Sequence, residues 1–170
     1  MSHVQDRLQP ALLDRLTHDP GAPAGESDGQ RVMSKQQLRQ AVLRDLAWLL
    51  NAVQPLGRVA ERYPLVAGSV LNFGLPPLSG QLASRIDVSL LERTIRNAIV
   101  QFEPRVLADT LEVRALESDG VLDSHNIIEF EIRGFLWAQP VPLELLLRTQ
   151  LDLEAGQVLV RDASGNSVNR

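Results

Sequence analysis

Glu103-Pro104-Arg105 is the stretch of this chain whose residue types and spacing point most directly to chemistry, and the chemistry is recognition. Proline lacks an N–H and drives the preceding residue out of the α region, so a helix arriving here ends at about Glu103. A carboxylate there faces the negative end of the helix dipole at a cost of roughly 0.3–1 kcal/mol, whereas Arg105 is well placed. Two opposite charges thus flank a rigid ring and are expected to point in fixed, different directions. Arginine matches carboxylates and carbonyls in bidentate fashion, which makes the segment a pre-organised polar docking element. The alternative is a salt bridge belonging only to the fold.

Other candidates for chemistry are weaker. Glu129 and Glu131 share a strand face, and glycosidases need a carboxylate pair spanning the sugar. Alternating acidic residues on a strand more often form its solvated face, and sugar sites usually want stacking aromatics. This chain has two Trp, one Tyr and four Phe, several at core-periodic positions. His3, His18 and His125 are scattered without metal-ligand spacing. There is no cysteine, hence no disulfide, thiolate nucleophile or Cys-based zinc site. Phosphate-cradling glycine motifs, His-Glu-x-x-His and a supported Ser/His/Asp arrangement are absent. The expectation is a non-enzyme with no cofactor and no metal.

Bulk properties narrow the partners. The 170 residues are 44% hydrophobic, enough for one domain with a sizeable core. A net charge of −4 and a pI near 5.4 give no field to hold nucleic acid. The N-terminus lacks an apolar signal core, and charges interrupt every apolar run before the roughly 18 residues that spanning requires. Together with the lack of cysteine, this predicts a cytoplasmic protein without membrane insertion.

These residues must be positioned by an α+β fold: two main helices packed on a small, mainly antiparallel sheet, with a flexible N-terminal arm. Residues 1–33 form the arm, 34–162 the domain and 163–170 a frayed tail. Within the arm, Leu12, Leu13 and Leu16 lie on one face of a short helix that either docks on its own domain or binds a partner. A helix over Ser34–Asn51 opens with a Ser34/Gln37 capping box and repeats Leu38, Val42, Leu46 and Leu49. Leu43, Ala47 and Leu50 widen its stripe, so it is packed on more than one side, and Trp48 is assigned to the core. Between 54 and 86 we expect a helical turn around Val59–Tyr63, an extended piece at Ser69–Phe73 and a turn at Gly74–Pro77. A second helix runs from Asp87 or Ser89 to Glu103, with Ser89 and Glu92 in capping-box spacing and Leu91, Ile95, Ile99 and Phe102 inward.

Strands follow. Leu111, Val113 and Ala115 alternate with charges, Ser118-Asp119-Gly120 turns the chain, and Ile128, Phe130 and Ile132 alternate again. Pro140 and Pro142 break the run before a long strand, Leu143–Leu153, and a short one, Gln157–Asp162. The long strand is free of proline and carries Leu146 on its polar face, so Leu143, Leu145, Leu146, Leu147, Thr149 and Leu151 are expected to contact another chain by strand addition. The alternative is that this strand is central and already paired.

The ordered combination of these pieces resembles the sheath-initiator family of contractile injection machines, and within it the TssE family of type VI secretion baseplates, shared with contractile phage baseplates. The matching residues are Leu12-Leu13-Asp14-Arg15-Leu16, Val42 through Asn51, Tyr63-Pro64, Ser69 through Pro76, and Ile95 through Arg105. The family often has tyrosine where this chain has Phe73. The resemblance implies a non-enzymatic baseplate subunit on which the contractile sheath begins to polymerise. Glu103-Pro104-Arg105 would dock on the wedge proteins TssF and TssG, with TssK as a further candidate. The sheath proteins TssB and TssC would meet the terminal hairpin. Family members have carried a lysozyme-like label; a small glycan hydrolase and a generic adaptor are the alternatives.

Overall fold

Period-two alternation builds the centre of this molecule. The computed structural model describes residues 11–16, 33–57, 62–78, 86–116 and 126–163. Among them, β1 (Glu112–Ala115), β2 (Ile127–Leu136), β3 (Leu143–Asp152) and β4 (Gln157–Asp162) form an antiparallel meander in the order β1-β2-β3-β4. Val113, Phe130, Ile132, Leu145, Leu147, Thr149 and Leu151 are buried. They join one core with the apolar faces of α2 (Lys35–Asn51) and α4 (Val88–Phe102). The expected α+β class, with two main helices on an antiparallel sheet, is the observed one. Shorter helices are α1 (Leu12–Leu16) and α3 (Pro64–Ala67), with 3-10 turns at Val70–Asn72 and Ala108–Thr110.

Helix α2 starts as its sequence dictates. Gln37 N–H donates to Ser34 Oγ at 3.1 Å and Ser34 N–H donates to Gln37 Oε1 at 2.8 Å, closing the capping box. The cap of α4 is Asp87, one of the two expected starts, whose carboxylate accepts from Leu90 N–H at 3.0 Å. Glu92, the would-be reciprocal partner of Ser89, instead accepts from Ala115 N–H on β1 at 2.7 Å.

The 54–86 segment departs from expectation. Ser69–Phe73 is not extended: Val70–Asn72 is a 3-10 turn, with Ser69 Oγ accepting from Leu71 N–H. Pro64 supplies the first turn of α3, which was not anticipated. Gly74 then takes φ +120°, and a Cβ there would lie 2.3 Å from the Ala52 carbonyl oxygen. Only glycine lets Leu75 run beside the end of α2, where Leu75 N–H donates to Ala52 O and Gln54 N–H to Leu75 O. The expected turns around Val59–Tyr63 (beyond Arg62 and Tyr63 themselves) and at Ser118-Asp119-Gly120 lie outside the described residues, as do most of the arm and residues 164–170.

The strand-addition reading of Leu143–Leu151 requires correction. β3 is hydrogen-bonded to β2 over Leu143–Asp152 and to β4 over Leu147–Asp152, so it is an interior strand. Leu145, Leu147, Thr149 and Leu151 face the core. Among the described residues the edges are β1 and β4, and side chains of one main helix bond each of them at particular residues. Asn51 at the end of α2 donates from Nδ2 to Val158 O at 2.8 Å and accepts from Val158 N–H at 2.9 Å, pairing with β4 as a neighbouring strand would. Arg39, three turns earlier, bonds Glu144 O and pairs with Asp162 at 3.6 Å. On the other edge, Arg96 of α4 donates to Leu111 O and Ala108 O, beside the Glu92–Ala115 bond. Polar side chains placed this way satisfy edge groups that would otherwise template another strand.

Candidate docking site

Four residues at the end of α4 make the turn that organises the site. Glu103 N–H donates to Ile99 O at 2.8 Å, and Val106 N–H to Glu103 O at 3.1 Å. Pro104 sits between them, and buried Val106 bridges to Leu136, anchoring the turn on β2. The turn brings the side chains of Glu103 and Arg105 together instead of fixing them in different directions. Arg105 donates through Nε to Glu103 Oε1 at 2.6 Å, through its backbone N–H to the same oxygen at 3.2 Å, and through Nη2 to Oε2. Glu103 is only 4% exposed.

The ion pair continues beyond the motif. Arg105 Nη2 also donates to Asp45 Oδ2 at 2.5 Å, Arg44 Nε donates to Asp45 Oδ1 at 2.9 Å, and Arg44 Nη1 reaches Asp14 Oδ1 at 2.5 Å. Charges therefore alternate along Glu103, Arg105, Asp45, Arg44 and Asp14, tying α4, α2 and α1 together. Burial opposes the charge on Arg105, but hydrogen bonds to Glu103 and then Asp45 outweigh it and raise its pKa above the ordinary arginine value. Arg44 is raised as well, first by its hydrogen bond to Asp14. The hydrogen bonds that a carboxylate at a helix end lacks come from within the chain, so no partner is needed to supply them.

Beside this chain of charges opens a mainly apolar groove of about 430 Å³, walled by Trp48, Leu49, Phe73, Phe102, Pro104 and Arg105. Phe73 meets Phe102 edge to face with centroids 5.3 Å apart. Trp48 was expected in the core, yet it is 53% exposed on the groove rim, with the Arg44 guanidinium 5.1 Å from its ring centre. Helix α2 buries Leu38, Val42, Leu46 and Leu49, and Trp48 projects past the end of that face. Close by in sequence, Leu65, Val70 and Leu71 are also exposed.

The predicted arm contacts divide. α1 is held through Asp14, while Leu12 and Leu13 are exposed; the side chain of Leu16 lies outside the described ones. Asp45, Arg44 and Asp14 were not singled out from the sequence as site residues. Their signal was an Arg-Asp pair interrupting the leucine stripe of α2. Glu129 accepts from Gln150 at 2.7 Å and Glu131 from Arg133 at 2.6 Å, so both carboxylates of the glycosidase alternative are engaged by neighbours. Among the described residues no group of three or more His, Cys, Asp and Glu could hold a metal ion, and no helix is long and apolar enough to cross a membrane.

Residues 36–141 match the family model described as baseplate wedge protein gp25, a span that runs from α2 through β2 and includes Glu103-Pro104-Arg105. No curated protein and no solved structure matches the chain.

Proposed function

Because this chain belongs to the baseplate wedge protein gp25 family, we propose that it is the non-enzymatic subunit of a type VI secretion baseplate that docks on wedge proteins and starts the contractile sheath. Membership of this family makes the chain a baseplate component of a contractile injection system; in the proposed role it is a TssE subunit that meets TssF and TssG, with TssK as a further wedge-side partner, and the sheath proteins TssB and TssC. One observation carries the docking half: an apolar groove with a half-exposed tryptophan on its rim, beside a motif whose charges are already satisfied internally. Aromatic and arginine side chains around a recess are the usual anchors of a protein interface. Glu103 in this reading holds Arg105 and Pro104 in place, and Pro104, Arg105 and Trp48 meet the wedge. The hairpin Leu143–Asp162 would meet the sheath through the β4 edge, with β3 as its support.

Co-expression with TssF and TssG tests the reading. Trp48→Ala removes an exposed side chain and should leave the melting temperature within about 3 °C, since surface changes cost about 0.5 kcal/mol or less. It should abolish co-purification with the wedge pair. Undiminished co-purification of a natively folded Trp48→Ala protein would show that the groove is not the docking surface.

A further inference from the structure

The sheet face turned away from α2 and α4 carries a second recognition feature. Arg148 on β3 and Arg161 on β4 are directly opposed in the antiparallel register, and both are exposed. Cross-strand partners of like charge on one face repel. The carboxylates around them are already engaged: Glu112 pairs with Arg114, Glu131 with Arg133, Glu129 accepts from Gln150, and Asp162 pairs with Arg39 on α2. Among the described residues the side chains of Arg148 and Arg161 make no hydrogen bond or ion pair. The two guanidinium groups border a recess of about 490 Å³ with Leu146, Gln150 and Glu129. Exposed Leu159 stands on the same face.

We infer that this face binds an acidic protein segment, a carboxylate of which bridges Arg148 and Arg161 while an apolar neighbour packs on Leu146 and Leu159. Charge complementarity selects the occupant. Two opposed guanidinium forks favour carboxylates, and the flanking leucines favour a peptide with side chains over a bare inorganic anion. Glu131 stands opposite Arg148 on β2 but pairs with Arg133, so in an acidic protein of net charge −4 two opposed arginines without an ion pair among the described residues are a local exception rather than part of a general field. The repulsion between the arginines is relieved when the partner arrives, so the surface is better satisfied bound than free. This surface is separate from the groove at Trp48 and stands or falls independently of it.

The probe is fluorescein-labelled hexaglutamate, titrated into the whole chain by anisotropy at low and at 150 mM salt, with hexaphosphate in parallel. We expect saturable hexaglutamate binding that weakens with salt and falls at least fivefold in Arg148→Gln/Arg161→Gln. That variant should keep or raise its melting temperature. Lys35→Gln/Arg93→Gln, with the same change in net charge, should bind as the unaltered chain does. Equal binding by Arg148→Gln/Arg161→Gln, or equal loss in the control pair, overturns the inference. So does a lowered melting temperature of the arginine variant, which would reveal an internal partner. Binding of hexaphosphate alone overturns the assignment to an acidic protein. No hexaglutamate binding, or binding that emerges only after Glu117→Gln/Asp119→Asn/Asp123→Asn, also overturns it, the latter by naming the chain's own acidic segment as the occupant.

Discussion

Replacing Arg105 with glutamine measures how much the fold depends on the charges at its proposed docking motif. Glu103 is 4% exposed, and both its oxygens are bonded by Arg105. Without the guanidinium, the buried carboxylate keeps only the backbone N–H at 3.2 Å. Stranding one member of a buried ion pair costs about 3–5 kcal/mol. At about 2–4 °C per kcal/mol for a domain of this size, the melting temperature should fall by roughly 10 °C. Glu103→Gln should cost less, about 1–3 kcal/mol, because Arg105 retains Asp45 and is 24% exposed to water. The double variant should be less damaged than the two losses added, with a coupling of about 1–3 kcal/mol. Urea unfolding of the four proteins reads all three quantities. An Arg105→Gln protein within 3 °C of the unaltered chain, with coupling below about 0.5 kcal/mol, would refute the claim that these charges secure the turn.

Gly74→Ala should destabilise by about 2–4 kcal/mol in the same assay, because it combines positive φ with a clash against Ala52 O. Asn51→Ala should cost about 1–2 kcal/mol and increase self-association in sedimentation experiments, since Val158 loses both bonds on the β4 edge. Arg105→Lys should recover only part of the stability lost in Arg105→Gln, because an ammonium cannot fork across Glu103 and Asp45. The raised pKa values of Arg44 and Arg105 place their contribution fully below the unfolded arginine pKa, to be lost only as pH passes the higher folded value. Melts from pH 7 to about pH 11 should therefore show no loss attributable to these groups.

What was legible in the sequence was whatever is decided locally. The Ser34/Gln37 box, the leucine period of α2 and the alternation around Phe130 and Leu147 depend on neighbours a few residues away, and all appear as read. Position in the sheet is not local. Inward leucines look alike in a central strand and in an edge strand, so the terminal hairpin was legible but nothing in Leu143–Leu153 announced that β2 would occupy its other side. At the site, the proline break was visible, but its outcome was not. The approach of Arg105 to Glu103 needs the turn closed by Val106, and its second partner, Asp45, is sixty residues earlier. Trp48 was misjudged for a similar reason: periodicity shows a wide apolar stripe, whereas tertiary packing decides which part of it stays uncovered.

Helix α2 has a mechanical consequence. Asp45, which holds Arg105 beside the groove, and Asn51, which occupies the β4 edge, stand on one uninterrupted helix about 9 Å apart along its axis. The groove motif and the sheet edge are thus braced by one and the same element: the helix whose Asp45 holds Arg105 is also the one whose last residue bonds both backbone groups of Val158.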